Sequence, residues 1–194
     1  MTNLLVMKFG GTSMGSAERI RVAAQICADE RARRPVVAVV SAMSKVTDLL
    51  LNTLRHAEAG DRPGIESNLE RLAQRHLEAC DELLEGERRE QATTGIRKLI
   101  ADFGRIAHGM LMLGERPPRS VDEAIAIGER LSALLIAEYL ESTGIPARAI
   151  KRVLLTAELA GSIEISATSA IDVTARGPGG VSTVEMMRVP GCSR

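Results

Sequence analysis

The sequence predicts an α/β fold: an αβα sandwich with a mainly parallel sheet, plus an inserted helical hairpin. Three observations predict it. Two short apolar runs, at 4–9 and 36–40, flank one amphipathic segment. The second run, Val36-Val37-Ala38-Val39-Val40, is apolar on both faces, as a central parallel strand is. A long double block of helical period then separates these runs from the next strand-like stretch at 147–155.

The elements follow in order. Leu4-Leu5-Val6-Met7-Lys8-Phe9 reads as a buried strand that leaves through Gly10-Gly11. Thr12 and Ser13 are expected to cap the next helix, whose inner face carries Ile20, Ala23, Ala24 and Cys27. With the strand at 36–40 this makes a βαβ unit, whose crossover is right-handed. A second helix, carrying Leu49, Leu50 and Leu54, is expected to end near Gly60, with 60–64 as a loop. Leu69, Leu72, Ala73, His76, Leu77, Cys80, Leu83 and Leu84 keep helical spacing, as does a second set from Ile96 to Leu113. The two sets predict an antiparallel helical hairpin. After Pro117-Pro118, Ser120 and Glu123 are spaced as a capping box opening a helix from 121 to about 141. Gly144 and Pro146 stop it. Beyond about 156 the chain turns rich in Ser, Thr, Ala and Gly, and Arg176-Gly177-Pro178-Gly179-Gly180 is a strong breaker. Short strands are the only elements expected there, with fraying from Val189 onward. The expected division is 1–155 as the ordered α/β region and 156–194 as a divergent or truncated tail.

Composition excludes several classes. The chain has 194 residues, enough for one substantial core. With one Tyr, two Phe and no Trp, that core must be aliphatic. Lys and Arg number 25 against 25 Asp and Glu, so there is no electrostatic footprint for duplex nucleic acid or an anionic membrane. Arg31, Arg33 and Arg34 follow Asp29 and Glu30 and read as a solvated helix end. Three widely spaced cysteines argue against a disulfide framework and a zinc site, and Cys27 and Cys80 are expected as buried free thiols. No stretch is long and apolar enough for a membrane span, and no signal-like segment opens the chain, so a cytoplasmic location is expected.

Three constellations could carry chemistry. In Lys8-Phe9-Gly10-Gly11-Thr12-Ser13 a strand hands over to two glycines and two hydroxyls, with a helix next. Glycines let backbone N–H groups approach an anion, a helix start adds partial positive charge, and Lys8 adds a full one. A structural Gly-Gly turn with a snorkelling lysine explains the same residues equally well. Ser41-Ala42-Met43-Ser44-Lys45-Val46-Thr47-Asp48 leaves the second strand at its carboxyl end, where open α/β sheets bind ligands. Helix capping by Ser44 or Thr47 is the plainer reading. Glu129 sits on a helix otherwise poor in charge, so it is either solvated on a narrow stripe or paired at a site, for instance with a ligand ammonium. Two features are dismissed. Asp102-Phe103-Gly104 spells a kinase metal-binding tripeptide, but it lies within a helical period with no H-R-D before it, so Phe103 is read as core. His56, His76 and His108 lack ligand spacing; His76 is read as a packed core histidine and the others as surface residues.

Taken in this order, the segments resemble the amino acid kinase family, and within it the aspartate kinases. Lys8 to Ser13 is similar to the opening K-F-G-G-T-S, residues 40–47 to V-S-A-x-x-x-x-T, and residues 128–132 to G-E-x-x-S. The likeness covers roughly residues 4 to 155. It implies phosphoryl transfer from MgATP to the side-chain carboxylate of L-aspartate, the first step toward lysine, threonine and methionine. It implies that Lys8, Phe9, Gly10, Gly11, Thr12 and Ser13 form the ATP phosphate turn, with Lys8 stabilising the transition state. It implies that Ser41, Thr47 and Glu129 hold aspartate, Glu129 through the substrate ammonium. The chain departs from the family at Thr156-Ala157-Glu158-Leu159-Ala160-Gly161, where T-D-x-x-F-G-x-A is usual. It departs again at 176–182, a faint echo of G-R-G-G-S-D with no following Asp. Little or no turnover by the lone chain is therefore expected. The alternatives are a non-catalytic aspartate-binding protein, a homo-oligomer or subunit pairing with a fuller kinase chain, and a different amino acid kinase acting on acetylglutamate, carbamate or a nucleotide.

Overall fold

The computed structural model describes residues 4–150 and, as backbone only, three strands within 174–189. Strand β1 (Leu5–Phe9) pairs in parallel with β2 (Val36–Val40), from Leu5 opposite Val36 to Phe9 opposite Val40. Helix α1 (Ala17–Arg31) makes the crossover between them. Helices α2 (Val46–Glu58), α3 (Arg62–Leu83), α4 (Gly86–Leu113) and α5 (Pro118–Ser142) follow, then β3 (Arg148–Ile150). The remaining stretch of the expected strand at 147–155, and the alternating pattern of Ile163, Ile165, Ile171 and Val173, lie outside the described residues.

Downstream, β4 (Thr174–Gly177) and β5 (Gly180–Thr183) form an antiparallel pair around the Gly-Pro-Gly breaker. Strand β6 (Met186–Val189) enters the main sheet between β2 and β3, antiparallel to both, giving the order β1-β2-β6-β3. Among the described strands of this sheet, β1, β2 and β3 therefore run one way and β6 against them. Val189, expected to fray, instead sits opposite Val36, because a strand edge beside β2 offers it backbone partners.

One aliphatic core joins sheet and helices. Phe9, Ala38 and Val40 from one face of the sheet pack with Ile20 of α1, Leu50 of α2, Leu72 of α3, Ile96 of α4 and Leu131 of α5. Val37 and Val39 on the opposite face are buried as well, as a sandwiched strand requires. Cys27 and Cys80 are free thiols within this interior, and burial pushes the Cys27 thiol up to about 12. His76 is fully buried, whereas His56 and His108 are partly exposed and face the carboxylates of Asp61 and Glu66. At the end of α1, Arg33 and Arg34 pair with Glu30 at the surface, as a solvated helix terminus does.

Three boundaries differ from the sequence reading, each for a local reason. The loop expected at 60–64 is already α3: Asp61 caps it by accepting from Gly64 N at 3.0 Å, and Pro63 sits in the first turn, where its missing N–H costs nothing. Helix α5 begins at Pro118 rather than after Ser120, so Ser120 and Glu123 lie inside it and form no capping box. Helix α1 is capped by Ser16, whose Oγ accepts from Arg19 N at 3.4 Å, and not by Thr12 or Ser13. Residues 10–16 are spent on a turn before the helix starts.

Candidate active site at the carboxyl edge of the sheet

Parallel pairing brings the carboxyl ends of β1 and β2 side by side. The ladder extends past them, with Ser41 N donating to Phe9 O at 2.9 Å. The Gly10-Gly11 turn and the segment 41–45 thus leave the sheet together. Ser44 joins them: its hydroxyl donates to Gly11 O at 2.9 Å. A Cβ on Gly11 would stand 3.0 Å from the backbone carbonyl oxygen of Ala42, so a larger residue would push the two turns apart by a few tenths of an ångström. The hydroxyl that the sequence offered as a helix cap is used to bind one turn to the other.

Helix α5 closes the third side. A Cβ on Gly128 would lie 2.8 Å from Ala42 Cβ, 3.1 Å from Leu50 and 3.2 Å from Val46. Gly128 therefore seats α5 directly on the start of α2, and Glu129 follows at the next position. Gly128→Ala is expected to destabilise the protein by about 1–3 kcal/mol, since the Ala42 methyl is fixed to backbone and cannot step aside. Helix propensity alone predicts the opposite sign, a gain of about 1 kcal/mol. Urea unfolding checks it, and Ala42→Gly in the same chain should restore most of the loss.

The predicted site residues fall as follows. Phe9 is buried at the end of β1, while Lys8 is exposed and alternates onto the sheet face opposite the helical core. Gly10 and Thr12 line the turn; Ser13 N and Met14 N both donate to Gly10 O, and Gly15 N donates to Thr12 O. Those amides are spent inside the turn, so fewer N–H groups remain free for an anion than the motif suggests. Ser41 is half-buried between the two turns, and Thr47 is exposed in the first turn of α2. Glu129 is half-buried, with its Oε2 atom shielded from water.

The backbone segments therefore converge, but two described cavities lie to either side of them. One of about 310 Å³ runs from Phe9 and Ser13 along Arg19, Val22 and Ile26 of α1. The other, of about 430 Å³, opens between α4 and α5 at Arg105, Glu123 and Arg130. Neither is lined by Lys8 or Glu129. Lys45, which the sequence offers as a charge beside the hydroxyls of 41–47, takes a left-handed φ of 65° at the start of α2. Among the described residues it is the only non-glycine with positive φ, at the point where the two turns meet.

A profile of the amino acid kinase family matches residues 3–174. The chain belongs to the amino acid kinase family. Within it, the similarity falls on aspartokinases. Aspartokinase 2 of Arabidopsis thaliana chloroplasts is 34% identical over 145 residues, covering 74% of this chain and 25% of that protein. A maize chloroplastic bifunctional aspartokinase/homoserine dehydrogenase is 31% identical over 141 residues, covering 73% and 15%. The structure of E. coli aspartokinase III in complex with aspartate and ADP superposes with a TM-score of 0.63 at 23% identity, covering 74% of this chain and 30% of that one. The chain thus spans a quarter or less of the first two relatives and under a third of the third. Among the described residues no helix is long and apolar enough to cross a membrane, and no three His, Cys, Asp or Glu side chains cluster as a metal site.

Proposed function

We propose that this amino acid kinase chain provides the amino-terminal side of an aspartokinase active site, for the transfer of the γ-phosphoryl group of ATP to L-aspartate, giving 4-phospho-L-aspartate and ADP. The observation that supports this best is the convergence of three segments on one sheet edge. Ser44 ties the Gly10-Gly11 turn to the second turn, and Gly128 seats the Glu129 helix on that same turn.

In this reading Glu129 receives the substrate ammonium, and Ser41 and Thr47 orient its carboxylates through their hydroxyls. In the same reading Lys8 and the glycine turn act on the transferring phosphoryl group, whose charge is spread over three oxygens and is stabilised by a fixed cation. Magnesium enters as the MgATP complex, bound to the phosphates. Positioning of two substrates is the main source of rate here, so what completes the nucleotide side matters as much as this chain.

A second reading is an aspartate-binding, non-catalytic subunit that pairs with a fuller kinase chain. It is favoured by one feature, the absence of an Arg-Gly-Gly-Ser-Asp run at 176–182.

Titration calorimetry with aspartate tests what both readings share. Glu129→Gln keeps the size and removes the charge, so aspartate affinity should fall about 10- to 100-fold, the usual worth of a hydrogen bond to a charged group. Succinate, which lacks the ammonium, should be indifferent to the change. Equal aspartate affinity in the two proteins would rule out the assigned role of Glu129.

A further inference from the structure

Four polar residues are fully or almost fully buried among the described residues: Thr53, Asn68, His76 and Ser132. Three of them make hydrogen bonds. Thr53 Oγ1 donates to Leu49 O at 2.8 Å, Asn68 Nδ2 donates to Asn52 Oδ1 at 2.9 Å, and His76 Nδ1 donates to Leu72 O at 2.8 Å. The Ser132 hydroxyl is 0% exposed and makes none.

This is an expensive arrangement. A buried hydroxyl without a partner has lost water and gained nothing in return. Alanine would remove that penalty and is also the better helix former. Ser132 is flanked by Leu131 and Ala133, both buried, so the position itself suits an apolar side chain.

Its place on α5 suggests a use. Ser132 is three residues beyond Glu129 and four beyond Gly128, so all three share one side of the helix. Helical side chains lean toward the amino terminus, which directs Ser132 at the turn carrying Gly128 and Glu129. Gly128 has no side chain to intervene. The Glu129 Oε2 atom is shielded from water, so donors to it come from protein or ligand.

We propose that Ser132 is a positioning residue for Glu129: its hydroxyl donates to the Glu129 carboxylate when that carboxylate turns to hold the ammonium of an amino acid substrate. The bond fixes one oxygen and leaves the other for the ligand. A fold-destabilising hydroxyl is thereby kept for the bound state. This rests on the reading of Glu129 as the ammonium site.

The test combines stability with affinity in Ser132→Ala, Ser132→Cys, Ser132→Thr, Glu129→Gln and the Ser132→Ala/Glu129→Gln double variant. Ser132→Ala should melt at a higher temperature than the wild type yet bind aspartate about three- to tenfold more weakly, the scale of one hydrogen bond. Succinate affinity should not move. Ser132→Cys, similar in size but a weak donor, should follow alanine, and Ser132→Thr should recover aspartate binding. The double variant should bind aspartate no more weakly than Glu129→Gln alone, because the serine acts only through the glutamate. Unchanged aspartate affinity in Ser132→Ala overturns the proposal, as does an equal loss for succinate or a loss additive with Glu129→Gln. Failure of the wild-type chain to bind aspartate sinks the functional reading and this inference together. Wild-type binding that Ser132→Ala leaves intact sinks the inference alone.

Discussion

Phe103→Ala should lower the stability of the protein by about 3–5 kcal/mol, the cost of deleting a fully buried aromatic ring and leaving a cavity. That is a large share of the roughly 5–15 kcal/mol that holds an ordinary domain together. Phe103 is 0% exposed on α4, and its ring is among the largest fully buried side chains of the described residues. Its neighbour Gly104 faces Leu69 of α3, at a distance where an added Cβ would be in ordinary contact. Gly104 thus lies on the face of α4 that meets α3, while the Phe103 ring is a member of the buried core. Asp102, by contrast, is partly exposed and paired with Arg105 three residues on, an ion pair of the kind worth about 0–1 kcal/mol. Urea unfolding of Phe103→Ala and Asp102→Ala should separate sharply. Near-equal, small losses would mean that the tripeptide Asp102-Phe103-Gly104 is not a core segment.

Lowering the pH from about 6.5 to about 4 should cost ~3 kcal/mol through His76 alone. Burial is the main cause: it depresses the imidazole to about 4 from an ordinary 6.5, against the raising effect of its bond to Leu72 O and helped by the Arg75 charge. Nδ1 donates to that carbonyl, which leaves Nε2 buried with a bare lone pair and no partner among the described residues. Above 6.5 the ring is neutral in both folded and unfolded chains, so it adds no pH dependence. Between 6.5 and 4 the unfolded chain takes up a proton that the folded chain refuses, so stability falls as pH falls. Below 4 both forms are protonated and the loss is complete. Other groups overlap this window at its lower end. Asp61 has a depressed pKa, chiefly from the Gly64 N–H and also from His56, so its contribution is lost as the carboxylate protonates. His76→Leu isolates the histidine: the difference between variant and wild type across 6.5 to 4 should carry the whole effect. A wild-type curve that runs parallel to that of His76→Leu over this range would sink the assignment.

Much of the architecture was legible because it rests on local period. The strands at 5–9 and 36–40 declare themselves as apolar runs ended by Gly-Gly and by serine. Helices α3 and α4 declare themselves by apolar residues every three or four positions. Their boundaries were less legible. Asp61 and Pro63 carried the start of α3, but Gly60 and Gly64 beside them look like loop residues by composition. The tail shows the opposite limit. Strand β6 has no strong alternation, and its place between β2 and β3 depends on an edge that exists only after the rest has folded.

What the sequence determined by itself was the run of elements from β1 to α5, the aliphatic core and the three candidate segments at 8–13, 41–48 and 128–132, because each depends on residues within a few positions of one another. Tertiary structure alone decided that Ser44 binds Gly11, that Gly128 seats α5 on Ala42, and that Ser132 is buried without a hydrogen-bond partner among the described residues. These are contacts between residues 33 to 86 positions apart, or the lack of them, and they arise from packing rather than from local spacing.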